Sequence, residues 1–498
     1  MSGGVAELAD RPVDPRRVAR WMAAFGLLAA LGLLASAERL LATADLEPEA
    51  GRTLRRLERD GPAPAPGAPG RLVVLLIDGL RRDEAARLSS WRRLAPEAVT
   101  GELALDAPTL SRPFHHSLFT GVPADVSGVR SNRFTGPARH DSVMDRVRAA
   151  GGAVTIHAEG LDWMRRMHGP AEGGDEAIPE ALGVQGGEVE GAPGLLVVHL
   201  TAVDRTAHEG GLGSEAHRAA LRAADETLAR LAALEGVALV ALSDHGHVDG
   251  GGHGGLEPEV ARAPLLVRAP GLAPRALHAP VPTAALAPAL SAWLGVPRPR
   301  SATRAAPPAL LAAPIDDDGL LRHASVVSSG VTLARARLSQ RRRLGLLLVL
   351  VLSFAALGPI KRAFGFDRSV LLGLLLWPAL LLGIHLALGR PLSLSAIDTQ
   401  ARHVIRVVLL GAGCAVLACA LLFPLARGRL RLARVAAVVG WSQLAAASGA
   451  LAWVGLALGP WPLGSLGRYL ALLFAGAAAA GLPVVAAALL TATTDRAR

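Results

Sequence analysis

The amino-acid sequence predicts an α/β sandwich with a largely parallel central sheet, carried on an α-helical membrane region that spans several times. Three observations lead there. Between residues 71 and 300, short apolar runs rich in Leu and β-branched residues alternate with helical stretches, the pattern of layered α/β domains. Long Leu/Ala/Val runs instead fill residues 21–37 and most of the last third, as in chains that cross a bilayer. Charge follows the same division. The chain is net +10, yet residues 71–320 hold 24 Arg against 30 Asp plus Glu, so the globular part is acidic and the basic excess flanks the apolar runs. That distribution argues for a membrane and against nucleic acid as the partner.

Residues 1–20 read as a cytoplasmic N-terminus, with Arg11, Arg16, Arg17 and Arg20 ahead of the apolar run 21–37. Positive charge before a span keeps that end in the cytoplasm and sends the next segment across. The run ends in Ala35, Ser36 and Ala37, so a cleaved signal peptide stands beside a permanent anchor as an alternative. Residues 38–70 read as a charged juxtamembrane helix and then a Pro/Ala/Gly linker. The globular domain takes residues 71–320, with strands expected over 72–77, 154–157, 195–200, 237–242 and 264–267 and a helix over 215–234. A helix-like stretch over 281–295 closes it.

A basic connector, 321–343, leads into a membrane domain, 344–498, with apolar runs near 344–360, 370–388, 404–425, 435–458 and 469–491. Counting outward from a cytoplasmic N-terminus puts Lys361, Arg362 and Arg368, then Arg427, Arg429, Arg431 and Arg434, on the inside. The external loops carry little beyond Arg390, Arg402 and Arg468. Arg341 to Arg343 fall on the wrong side, behind a large translocated domain where the rule is weak. The expectation is an integral protein of the cell membrane whose catalytic domain lies outside the cytoplasm. Both cysteines, Cys414 and Cys419, sit in an apolar run, which excludes a disulfide framework or a cysteine zinc site in the globular part.

Candidate chemistry centres on residues 107–121, Ala-Pro-Thr-Leu-Ser-Arg-Pro-Phe-His-His-Ser-Leu-Phe-Thr-Gly. This stretch reads as a helix start with Ser111 as cap and Pro113 in the first turn. A hydroxyl there sees amide donors and the positive end of the helix dipole, a setting suited to attacking or holding a phosphate. Ser caps are common, so the loop alone decides nothing. Four further groups end or follow expected strands: Asp78; Asp204 with His208; Asp244 with His245; and His253 among glycines 250–255. Singly, each reads as an ordinary turn or core residue. Together they supply three carboxylates and three imidazoles, the mixture that suits a pair of divalent, zinc-like ions.

These motifs resemble the alkaline phosphatase superfamily, in particular its phosphodiesterase and nucleotide pyrophosphatase branch and, within that, the catalytic domains of GPI ethanolamine phosphate transferases. The similarity runs from Arg71 to Gly295. It implies an alkaline-phosphatase-like fold, with Ser111 as metal-bound nucleophile and Asn132, in Gly-Val-Arg-Ser-Asn-Arg-Phe, as the residue that meets the substrate phosphate. It also implies two zinc ions, one held by Asp204, His208 and His253, the other by Asp78, Asp244, His245 and Ser111. The implied path is double displacement through a phospho-Ser111 intermediate. Thr109 is the rival hydroxyl at a supporting position; His115 and His116 are expected to pack behind the loop, His199 to be structural, and His247 and Asp249 to line the surroundings of the site.

The function expected on this resemblance is transfer of phosphoethanolamine, or a similar phospho-headgroup, from a phospholipid donor to a lipid or glycan acceptor. With water as acceptor, the same site is a phosphodiesterase. A nucleotide-directed hydrolase fits less well, since one Tyr and nine Phe leave few rings to clamp a base. Sulfatase chemistry fits less well too, because the fifth residue of Ser111-Arg-Pro-Phe-His115 is His where the activating motif needs Arg. An inactive scaffold is the third alternative, disfavoured by the complete set of candidate ligands.

Overall fold

Strand β1 (Arg71–Ile77) is the axis of the globular domain. Its residues from Leu72 onward are at most 3% exposed. Successive side chains enter opposite faces, Leu72, Val74 and Leu76 one apolar cluster and Val73, Leu75 and Ile77 another. Burying six such side chains contributes on the order of 10 kcal/mol before conformational entropy is counted. This computed structural model describes residues 45, 47–60, 70–158, 161–170, 194–312, 374–397, 400–426, 431–455 and 465–494, with isolated positions 20, 24 and 325.

Among the described residues, β1 joins β2 (Val99–Ala104), β3 (Ala153–Ala158), β4 (Gly194–Leu200), β5 (Ala238–Leu242), β6 (Arg262–Arg268) and the two-residue strands β7 (Arg275–Ala276) and β8 (Val281–Pro282) in one sheet. Its order is β3-β4-β1-β5-β6-β2-β7, with β8 beside β2. The half from β3 to β5 is parallel, and β6 runs antiparallel to both β5 and β2. All five expected strands form. The sequence reading lacks β2, whose Thr100-Gly101-Glu102 centre shows no apolar run because those residues are only partly buried.

The helices that matter to the site are α1 (Glu49–Asp60), α2 (Ser111–Thr120), α3 (Ala202–Gly210), α4 (Glu215–Ala232) and α5 (Leu286–Leu294). Helices α2 and α5 cover one face of the sheet and α4 the other, which buries β1 on both sides. Helix α1 lays Ala50 and Leu54 against Val122 and Val126, tying the segment before β1 to the domain.

The C-terminal region forms α6 (Leu376–Ala387), α7 (Gln400–Leu422), α8 (Arg431–Gly455) and α9 (Ser465–Thr494). Small residues allow close approach: a Cβ on Gly411 of α7 would lie 2.2 Å from the Ala477 carbonyl of α9. Two stretches, Ile405–Leu425 and Leu473–Thr491, are long and apolar enough to cross a membrane. Four of the five expected apolar runs thus contain helices; the runs 21–37 and 344–360, the 61–69 linker and the connector 321–343 lie outside the described residues, save the single positions 24 and 325.

Candidate active site

The carboxyl ends of β4, β1 and β5, three neighbours at the centre of the sheet, deliver most of the polar residues to one place. Asp78 follows β1 directly, and its amide donates to the Leu200 carbonyl at the end of β4, 2.9 Å away. Asp244 and His245 follow β5. Gly79, at φ +76°, lets the chain turn so that its amide donates to Asp244 Oδ1 at 3.2 Å. Helix α3, entered from β4, places Asp204 and His208 one turn apart on one face, with His208 Nε2 3.3 Å from Asp204 Oδ1. His253 comes from the glycine loop after β5 and brings Nε2 to 3.5 Å from Asp204 Oδ1.

Among the described residues, three groups of possible ligand atoms result, each with its atoms within 4.8 Å of one another: Asp78, Asp244 and His245; Asp204, His208 and His253; and, bridging these two, Asp204, His245 and His247. The first two are adjacent, since the rings of His245 and His253 stack with centroids 3.6 Å apart. His253 Nδ1 lies 2.8 Å from the Thr109 carbonyl, which can only accept, so that nitrogen carries the proton and Nε2 presents a lone pair.

The electrostatics fit cations. Asp78 Oδ1, Asp204 Oδ1, Asp244 Oδ2 and the Nε2 atoms of His245 and His247 are buried and make no hydrogen bond of good geometry. Burial, followed by the Asp244 and Asp204 charges, drives the Asp78 carboxyl far above the usual range. Burial and Asp204 raise Asp244 to about 7. Burial lifts the Asp204 carboxyl too, but the imidazoles of His208 and His247 outweigh it and hold Asp204 low. Burial also keeps His245, His247 and His253 neutral, His253 falling to about 3 and His245 well below its ordinary value. Three crowded carboxylates faced by neutral imidazoles lack compensating positive charge, and divalent ions supply it.

Ser111 is the first residue of α2 and does not cap it, contrary to the sequence reading; the cap position falls to Leu110. The Ser111 hydroxyl turns instead to Asp78, with Oγ 3.5 Å from Oδ2. Capping passes to Asn132, whose Oδ1 accepts from the Arg112 amide at 3.0 Å and whose NH₂ group stays available as a donor. Asn132 is exposed, while its loop is pinned: Asp45 Oδ1 accepts from the amides of Arg130 and Ser131 at 2.6 and 2.9 Å. Thr109 is engaged twice, its hydroxyl donating to the Gly255 carbonyl and accepting from the Gly254 amide, both at 2.9 Å. It stitches the Ser111 loop to the His253 loop.

His115 and His116 lie on α2 and are fully buried behind the loop, as expected. Asp249 turns away to pair with Arg81 at 2.7 Å. Arg112 is likewise turned from the site, donating to the Phe134 carbonyl at 2.6 Å. His247 faces Asp204 Oδ1 at 3.1 Å and is completely buried. His199 departs from a purely structural role: its Nε2 lies 3.0 Å from Asp78 Oδ2, where it orients that carboxylate. A histidine near the carboxyl end of an otherwise apolar parallel strand, paired with the strand that bears Asp78, was the available signal.

The chain is similar to several known proteins. The family model described as type I phosphodiesterase / nucleotide pyrophosphatase matches residues 175–261. Two curated proteins called GPI ethanolamine phosphate transferase 1 are similar. The one from Emericella nidulans is 26% identical over 276 residues, covering 44% of this chain and 29% of its own length. The one from Gibberella zeae is 27% identical over 284 residues, covering 46% and 28%. The chain therefore spans less than a third of either relative. Among solved structures, a variant of alkaline phosphatase PafA is 12% identical with a TM-score of 0.40, over 49% of this chain and 99% of that one. A phosphonate monoester hydrolase from Silicibacter pomeroyi is 18% identical with a TM-score of 0.35, over 50% and 78%. The chain is thus similar to type I phosphodiesterases / nucleotide pyrophosphatases over residues 175–261 and to two GPI ethanolamine phosphate transferases, and its mixed, mostly parallel sheet is the fold class expected from the sequence.

Proposed function

We propose that this chain transfers a phosphoethanolamine-like headgroup from a phospholipid to a lipid or glycan acceptor, with Ser111 as the group that is transiently modified. The observation that carries the reading is the position of the Ser111 hydroxyl, at the N-terminus of α2 and against Asp78, beside two clusters of carboxylates and imidazoles. Asp204, His208 and His253 would hold one divalent ion and Asp78, Asp244 and His245 the other, with zinc the expected metal for such ligands. Bound ions would supply positive charge to the oxygens of an in-line displacement.

The protein's own groups then account for the path. Ser111 Oγ attacks phosphorus and forms a P–O bond, while the bond to the glycerol oxygen breaks and diacylglycerol leaves with the proton. The Ser111 amide at the start of α2 and the NH₂ of Asn132 donate to the non-bridging oxygens as charge grows on them, the Arg112 amide being held by Asn132 Oδ1. In the second half, an acceptor hydroxyl attacks the same phosphorus, the P–Oγ bond breaks, and Ser111 is released with the acceptor's proton on Oγ. The C-terminal region reaches the site through Ser395 and Arg402 and carries two helices long and apolar enough to cross a membrane, which favours a substrate presented at a bilayer.

We place the catalytic domain, 71–320, outside the cytoplasm of an integral membrane protein. The loop between α6 and α7 touches this domain, so the two share one side of the bilayer, the side that charge counting makes external. Water as acceptor gives the second reading, a phosphodiesterase, favoured by the description of the matching family model. The test is to incubate the full chain in lipid nanodiscs with headgroup-labelled phosphatidylethanolamine. Label moving to a second lipid supports the transferase and label released as free phosphoethanolamine the hydrolase; label that stays on the donor contradicts both.

A further inference from the structure

One connection between the membrane region and the site plays no part in the displacement chemistry. Between α6 and α7 the chain makes a single tight turn, Leu394–Ala396, with Ser393 at its start and Ser395 within it. Both serines are buried, at 8% and 1% exposure, against the glycine loop that bears His253. Ser395 Oγ accepts from the Gly255 amide at 2.9 Å and donates to Glu257 Oε2 at 2.8 Å. Ser393 Oγ donates to the other carboxylate oxygen, Glu257 Oε1. The fit leaves no room for a side chain, since a Cβ on Gly255 would stand 2.5 Å from Ser395 Oγ and 2.0 Å from Glu257 Oε2.

A second contact lies nearby. At the start of α7, Arg402 donates to the carbonyls of His208 and Glu209, at 3.2 and 3.0 Å, where α3 ends and its last carbonyls need donors. The membrane region thus grips both segments that supply Asp204, His208 and His253. The other cluster sits directly on strand ends.

We propose that Ser395, with Ser393 and Arg402, is a positioning residue for the Asp204/His208/His253 half of the site, so that docking of the membrane region sets how well that half holds its ion. This rests on the two-ion reading of the proposed function. Its physical basis is that a loop of five glycines in six residues, 250–255, has no rigidity of its own and takes it from the groups that hydrogen-bond it. Thr109 secures the loop from the domain side and Ser395 from the membrane side.

The experiment uses the full chain in nanodiscs as wild type, Ser395→Ala, Ser395→Thr and Arg402→Gln. Amide hydrogen exchange is measured on metal-free protein, and Zn²⁺ alone is then titrated in. The expected result for Ser395→Ala is exchange at least about 10-fold faster in residues 251–257, with β1 unchanged, and one Zn²⁺ equivalent bound about 10- to 100-fold more weakly, the loss typical of groups that hold a ligand in place. Ser395→Thr keeps the hydroxyl and should return both readouts toward wild type; Arg402→Gln should loosen residues 205–210. Wild-type exchange over 251–257 in Ser395→Ala, or acceleration spread equally into β1, would overturn the proposal. Faster loop exchange in a protein whose wild type binds no Zn²⁺ would overturn the coupling to an ion and, separately, the two-ion reading.

Discussion

The two halves of the site are built differently. Asp78, Asp244 and His245 emerge from β1 and β5, the most buried strands of the sheet, and are no more than 4% exposed. Asp204 and His208 ride on a helix with side chains 22% and 18% exposed, and His253 sits in a glycine loop. The first half is placed by folding of the core; the second is placed by hydrogen bonds from Thr109, Ser395 and Arg402. A site made this way has one fixed wall and one wall that other parts of the chain adjust.

Substitutions separate the attacking group, the donors and the fixed wall. The largest effect belongs to the nucleophile: Ser111→Ala should lower turnover about a thousandfold or more while ion content, measured by elemental analysis, stays near wild type. Asn132→Ala should cost kcat about 100-fold or more through loss of a donor to the reacting phosphate, read in steady-state kinetics. It should also weaken α2 slightly, because the Arg112 amide loses its acceptor. His199→Leu tests the support beneath the fixed wall and should lower activity or ion affinity about 10- to 100-fold. Equal losses for His199→Leu and Ser395→Ala in the same Zn²⁺ equivalent would erase the distinction between the walls.

A separate effect is on stability and depends on pH. In metal-free protein the Asp78 and Asp244 carboxyls are raised by burial, Asp244 to about 7 against an unfolded value of 3.8. The native state then binds more protons than the unfolded state in that window. Stability of the stripped protein should therefore be full below about pH 4 as far as these groups are concerned, and fall as pH rises toward and past 7. Thermal melts of stripped and Zn²⁺-loaded protein should diverge as pH rises from about 5 to about 8. Parallel curves would remove the crowded-carboxylate account.

Much of this was legible in the sequence because strand ends and ligand types coincide. Val73-Val74-Leu75-Leu76-Ile77 can be little other than a doubly buried strand, and an Asp directly after it must sit at the sheet's carboxyl edge. The capping of α2 was not legible, because the acceptor is Asn132, 20 residues from Arg112, and Ser111 is drawn to a carboxylate from β1. β2 escaped because a half-buried strand with Gly101 at its centre has no periodic signal. The tie between Ser395 and Gly255 spans 140 residues and joins a serine to a backbone amide, a pairing that leaves no mark on either stretch of sequence.

On the proposed function, Ser111 attacks a lipid phosphodiester. The most direct test is to quench full-length protein in phosphatidylethanolamine nanodiscs during turnover and map covalent modification by peptide mass spectrometry. A phosphoethanolamine adduct on Ser111, absent from Ser111→Ala and discharged when acceptor is added, is the predicted result. Transfer or release of headgroup by Ser111→Ala at the wild-type rate, with no adduct on the wild-type peptide, would contradict it.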